Sequence, residues 1–310
     1  MKRLLAVLLV AATIGIPTAA VAGDPTRILV FTRTTGYRHA AIEPAVTAIE
    51  GLGRQHDFEV TATDDPAVFA TDTLRDYDAV VFMSTTGNPV SEPAQRRALR
   101  RYVEQGGGFV GVHAASDQDE ESRSTWPWYG KLLGAYFGGH PLYDARPTGD
   151  ESCATAGVVS CHTGVVRFED RKHPATREVI RDNGVLGATG PQRRFWDVYD
   201  EFYGFATNPR DRVHVLATLD EKTYLDDPLL RDELETGEMG RDHPIAWCRP
   251  VERGRSFYTG LGHDPSLFED VRYLDHLVGG ILWAAGREPG DCRPRPGDLR
   301  RPSRPGRASR

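Results

Sequence analysis

The amino-acid sequence predicts an α/β fold, a flavodoxin-like parallel sheet with helices on both faces. Two observations carry this reading. Strand-like and helix-like stretches alternate through the first half of the chain, and the strand-like stretches are continuous apolar runs, as strands buried on both faces require. The first run is RILVFT, Arg27 to Thr32, followed by the polar turn RTTGYRH. A helix follows from Glu43 to Gln55, with Pro44 in its first turn, where a missing N–H costs nothing. Strands are expected at Phe58 to Thr63 and Asp78 to Met83. Between Ser91 and Gln105 Ser91 serves as a cap, Glu92 and Pro93 suit the first turn, and Ala94, Ala98, Leu99, Tyr102 and Val103 recur at helical spacing before Gly106. GFVGVH, Gly108 to His113, is the next strand.

The second half is less regular. Strand-like runs are expected at Val165 to Phe168, Arg194 to Tyr199, His214 to Leu219, Ile245 to Cys248 and Ser256 to Thr259. A terminal helix from Ser266 to Ala285 would bury Leu267, Val271, Leu274, Leu277, Val278, Ile281 and Leu282 on one face. No Pro/Gly/Ser linker divides the halves, so residues 23–286 read as one domain of about 260 residues.

Both ends of the chain differ from this body. Met-Lys-Arg, an apolar run from Leu4 to Ile16 and the triplet Ala20-Val21-Ala22 have the make-up of a signal peptide over residues 1–22, too short to span a bilayer. The expectation is a secreted, extracytoplasmic protein with no membrane attachment after cleavage. Residues 287–310 form a Pro/Arg-rich tail, expected to be mostly disordered, with eight Arg against Glu288, Asp291 and Asp298. With that tail and the basic N-terminus set aside, the net charge of −6 becomes −13 for the body. An acidic body argues against nucleic acid as a partner, because counterion release needs clustered Lys and Arg on the folded surface.

Four cysteines, Cys153, Cys161, Cys248 and Cys292, suit an oxidising compartment. Cys153 and Cys161 flank a short polar stretch that a bridge would clip, which leaves Cys248 for Cys292, although four cysteines allow three pairings. There is no CxxC and no common zinc spacing.

Familiar catalytic signatures are missing: there is no GxSxG elbow, no Walker A, no GxGxxG after a strand and no HExxH. Chemistry is therefore sought where ligands sit in open α/β sheets, at the carboxyl ends of the strands. The loops there hold Arg38-His39, Thr85 to Asn88, and His113 through Asp117. His113 ends the most apolar strand among small neighbours, Gly111, Val112, Ala114 and Ala115. A tight strand-to-helix turn there would project its imidazole over the sheet, placed for proton transfer or metal binding. Asp117, four residues on, could orient the ring or supply a second ligand. In Asp200-Glu201-Phe202-Tyr203, strand alternation points Glu201 and Tyr203 together and Asp200 away. A carboxylate among aromatics suits sugar binding, and Trp126, Trp128 and Tyr129 invite the same idea, with ordinary core packing as their alternative.

Several segments together resemble the trehalose-utilisation (ThuA-like) family, whose fold is similar to that of class I glutamine amidotransferases. They are TGYRH (Thr35 to His39), GGGFVGVHAASD (Gly106 to Asp117), WPWYGKLLGAYFGGHP (Trp126 to Pro141), KHPATR (Lys172 to Arg177), DEFYGF (Asp200 to Phe205), HPIAW (His243 to Trp247), GRSFYTGLGHD (Gly254 to Asp264) and GILWAAG (Gly280 to Gly286). The amidotransferase elbow carries a cysteine where this chain resembles it with His113, which puts glutaminase activity out of reach. The resemblance implies carbohydrate metabolism, on glucosides such as trehalose or their keto derivatives.

The expectation is thus a carbohydrate-active protein with His113 and Glu201 as acid/base pair, Arg38 and Asp117 orienting substrate or ring, and His39, His140, Tyr203 and His263 completing the substrate pocket. The partner would be a small carbohydrate, with no cofactor. Two alternatives stand beside it: a non-catalytic carbohydrate-binding module, and an enzyme whose divalent metal is held by His39, His113 and His140.

Overall fold

A computed structural model of the chain describes residues 24–69, 73–144, 153–155, 158–182, 194–231 and 237–294. The expected signal peptide and residues 295–310 of the tail lie outside the described residues. In chain order the elements are β1 (Thr26–Phe31), α1 (Ile42–His56), β2 (Phe58–Thr63), β3 (Ala79–Met83), α2 (Pro93–Glu104), β4 (Gly108–Val112), α3 (Glu120–Thr125), α4 (Pro127–Leu133) and β5 (Phe137–Gly139). They continue with β6 (Tyr143–Asp144), β7 (Ala154–Thr155), β8 (Val158–Val159), β9 (Cys161–Phe168), α5 (Pro174–Asp182), β10 (Phe195–Glu201), β11 (Gly204–Phe205), β12 (His214–Asp220), β13 (His243–Val251), β14 (Gly254–Thr259) and α6 (Val271–Ala284).

Nine strands form one sheet in the order β10-β9-β12-β13-β14-β4-β3-β1-β2. The run β2-β1-β3-β4-β14 is parallel throughout and has the expected doubly wound order, which reverses between β1 and β3. β1, β3 and β4 are apolar and almost wholly buried, the pattern of strands covered on both faces. Gly108 and Gly111 show the two covers. A Cβ on Gly108 would lie 2.4 Å from the Ala284 carbonyl of α6, and one on Gly111 3.1 Å from Leu133 of α4. Residues an odd number apart on a strand point to opposite faces, so α6 and α4 lie on opposite sides.

The sheet is mixed rather than parallel throughout, because β13, β12, β9 and β10 extend it with antiparallel pairings. Burial along β9 alternates, so this half carries a weaker apolar signal than β1 to β4. Two helix starts differ from the sequence reading. Glu92, not Ser91, occupies the N-cap of α2, without a side-chain cap bond. α6 begins at Val271 because Asp264 caps a separate short turn over Pro265–Glu269 and Asp270 then caps α6 through the Arg272 N–H at 2.8 Å. Val271 consequently faces solvent, 60% exposed, instead of the core. The cysteines pair as Cys153–Cys161 and Cys248–Cys292. No helix among the described residues is long and apolar enough to cross a membrane.

Candidate functional site

The site forms where β1, β4, β10 and β14 deliver their following residues. His113 follows the last residue of β4 and takes a left-handed backbone conformation, φ 46°. Such a conformation costs a β-carbon residue on the order of 1 kcal/mol, so the surroundings must hold it. They do so through the His113 carbonyl, which accepts from Tyr258 Oη at 2.8 Å and Ser116 Oγ at 3.3 Å. The ring is fixed as well, since Nδ1 lies 2.8 Å from the Gly260 carbonyl, which can only accept. Nδ1 therefore carries a proton, and Nε2 is the atom turned toward the other site residues.

Glu201 ends β10, and its Oε2 lies 3.3 Å from His113 Nε2 and 3.1 Å from His263 Nδ1. His263 Nδ1 is itself 3.3 Å from His113 Nε2. Burial works against charge here, yet the His113 and His263 imidazoles beside it hold the Glu201 carboxyl well below the usual carboxylate range. In the same way Glu201 raises His263 above the ordinary imidazole value in spite of burial. His39, in the loop after β1, completes the group, with its ring centroid 5.0 Å from that of His113 and 5.1 Å from that of His263. Burial, then the neighbouring His113 and His263, push its pKa down to about 2, so His39 is neutral. One nitrogen or oxygen from each of His39, His113, Glu201 and His263 lies within 4.8 Å of all the others.

Asp200 turns away from Glu201, as alternation requires, and does work that sequence reading missed. Its Oδ2 accepts from the Gly262 N–H at 2.7 Å, and its Oδ1 from those of His263 at 3.0 Å and Asp264 at 2.8 Å. The buried carboxylate thus fixes the loop that presents His263. Gly262 is required in that loop, because at φ +117° a Cβ would come 2.4 Å from Tyr273 Oη. Nothing in the sequence marks the Gly260 carbonyl, and Asp200 shows only as a charge beside an apolar run.

The remaining candidates divide. Tyr203 packs on His113 with ring centroids 3.9 Å apart and also against Phe137 at 4.1 Å. His140 lies farther out, with Nε2 3.7 Å from Glu201 Oε1, and does not belong to the group of four. Asp117 is half-buried, and burial raises its carboxyl above the ordinary value. It does not orient the His113 ring through Nδ1, a task the Gly260 carbonyl performs. Arg38 points back to its own segment, bonding the Thr32 carbonyl at 3.0 Å and Glu43 at 2.6 Å. Trp126 and Tyr129 are core, stacked at 4.8 Å with Arg96 over Trp126. The exposed aromatic beside the group is instead Tyr37, 66% exposed and edge-on to His39 at 4.8 Å. All four cysteines are in disulfides, so none is a nucleophile.

The comparisons agree with this architecture. A ThuA-like protein from Bacteroides uniformis ATCC 8492 superposes with a TM-score of 0.61 at 22% identity, covering 87% of this chain and 95% of that one. One from Parabacteroides merdae ATCC 43184 gives a TM-score of 0.56 at 20% identity, covering 84% and 90%. At these identities the likeness is one of fold, the class I glutamine amidotransferase-like α/β architecture. No curated protein matches. The family model described as trehalose utilisation, ThuA, matches residues 27–284, and the chain therefore belongs to the ThuA family.

Proposed function

We propose that this protein is exported and acts on a small carbohydrate, a glucoside such as trehalose or its keto derivative, at the pocket around His113 and Glu201. The observation that carries the reading is the 3.3 Å separation of His113 Nε2 and Glu201 Oε2, within reach of a shared proton, at the strand ends where open α/β sheets take ligands. Sugar hydroxyls need fixed donors and acceptors beside a ring face: His140 lies 3.7 Å from Glu201, Asp117 feels the charges of both, and the exposed Tyr37 ring stands edge-on to buried His39. The family's description as trehalose utilisation favours the same ligand class. Two disulfides support an oxidising compartment.

Thermal unfolding against trehalose, 3-keto-trehalose, maltose and methyl glucosides tests this, with His113→Ala alongside. A sugar at a hundred times its Kd adds about 2.7 kcal/mol, which raises the midpoint by several degrees in a domain of this size. The expected result is a shift in the wild type that His113→Ala loses. No shift with any of these sugars would overturn the carbohydrate reading.

A further inference from the structure

We propose that His39, His113, Glu201 and His263 form a site for one divalent transition-metal ion, ligated by three imidazoles and one carboxylate. A proton-transfer pair needs two groups, and four converge here. The spacing of His113, Glu201 and His263 is that of a coordination polyhedron, and a ring nitrogen of His39 lies within 4.8 Å of each. Metal–ligand bonds of about 2.1 Å place neighbouring ligand atoms about 3.0 Å apart in an octahedron and about 3.4 Å apart in a tetrahedron. The three measured edges, His113 Nε2 to Glu201 Oε2, His113 Nε2 to His263 Nδ1 and His263 Nδ1 to Glu201 Oε2, are 3.3, 3.3 and 3.1 Å.

The hydrogen-bond pattern also leaves an edge that a cation can occupy. His113 commits its Nδ1 proton to the Gly260 carbonyl, so in the neutral ring the Nε2 lone pair faces the Glu201 carboxylate with no hydrogen between them. An ion between them satisfies both. His39 is only 4% exposed, and its Nδ1 is buried with no hydrogen-bond partner among the described residues, a second polar atom left for a ligand to meet. Outer support for the ligands is in place. The Gly260 carbonyl fixes the metal-binding tautomer of His113, and the Asp200 carboxylate fixes the backbone of His263. Three nitrogens and one oxygen suit zinc, cobalt or nickel better than calcium or magnesium, which take all-oxygen cages.

The inference deepens the sugar reading by naming a cofactor for the same pocket, and rests on that reading only for the pocket's role. Its test uses metal alone. Chelator-stripped protein is titrated with Co2+ and followed by its visible d–d absorption, then challenged with Zn2+. The expected result is a 1:1 endpoint in the wild type, with Zn2+ abolishing the bands. His39→Ala, His263→Ala and Glu201→Gln should weaken Co2+ by more than the roughly 10–100-fold that outer-shell changes cost, and His140→Ala by less than a few fold. Near-UV circular dichroism confirms folding of each variant, and Glu201→Gln, which conserves volume, serves where an alanine variant does not fold. Absence of a saturable endpoint in the wild type, or binding unchanged in all three ligand variants, overturns the site. Co2+ binding without any sugar-induced thermal shift would retain the metal site and remove the sugar reading.

Discussion

His276 gives a prediction that can be worked to a number. It sits in α6 with no accessible surface to speak of, edge-on to Phe257 at 5.4 Å, and its Nδ1 donates to the Ala175 carbonyl of α5 at 2.7 Å. Nε2 is buried with no hydrogen-bond partner among the described residues. Protonation would place an unpaired charge in the α5–α6 contact, and burial accordingly lowers the pKa from 6.5 to about 4. The unfolded chain takes up a proton near pH 6.5 and the folded one does not until near pH 4. The stability this group contributes is thus complete above pH 6.5 and is lost as the pH falls to 4, by about 3 kcal/mol at 1.36 kcal/mol per pH unit. His276→Asn keeps a donor near the Nδ1 position and removes the titration. Denaturant unfolding at pH 7.0, 5.5 and 4.0 should show the wild type losing about 3 kcal/mol more than the variant across that range. Parallel pH profiles for the two proteins would refute the assignment, whatever their absolute stabilities.

Two further outcomes follow from the packing. Asp200→Ala leaves the Gly262, His263 and Asp264 N–H groups without their acceptor while relieving the burial of a carboxylate, whose pKa burial has raised to about 6. The net loss should be about 2–3 kcal/mol, with faster amide exchange at residues 262–264, and unchanged exchange there would refute the clamp. Cys248 and Cys292 close a loop of sequence separation 44, so replacing both with Ser should cost up to about 4 kcal/mol by loop entropy, read as a lower midpoint in thermal unfolding. A midpoint equal to that of the wild type would show that this bridge does not constrain the unfolded chain.

The parallel half of the fold was legible because its strands are buried on both faces. β1, β2, β3 and β4 lie within two residues of their expected ends, and β2 matches them. The antiparallel half was read as shorter strands, because alternating burial along β9 leaves exposed polar positions that break an apolar run. Within the site, the turn at His113 and the shared face of Glu201 and Tyr203 followed from local rules of strand geometry. The choice of neighbours for His113 did not. His140 lies nearby in sequence but follows β5, which pairs with β11 outside the central sheet. His263, 150 residues away, follows β14, the strand beside β4, and so arrives within 3.3 Å. A backbone acceptor such as the Gly260 carbonyl carries no side-chain signal at all.

The position of Glu201 says how the sheet itself must be shaped. β10 is five strands from β4 in the sheet order, which in a flat sheet at about 4.8 Å per strand would separate them by roughly 24 Å. Side chains of histidine and glutamate cannot bridge that distance, yet their polar atoms are 3.3 Å apart. The antiparallel half must therefore coil until the end of β10 stands over the end of β4. Polar bonds close the seam: Asp200 holds the 262–264 backbone after β14, and His243 Nε2 lies 2.9 Å from the Tyr203 carbonyl just beyond β10. The disulfide Cys153–Cys161 lies on the same edge, since Cys161 is the register partner of Glu201 on β9. His113 and Glu201 thus meet only while the coiled edge stays clasped, so changes to Asp200 should reach the site without touching any of its four converging side chains, whereas changes to that disulfide, whose sulfurs lie within 4.8 Å of a His263 ring nitrogen, reach it directly.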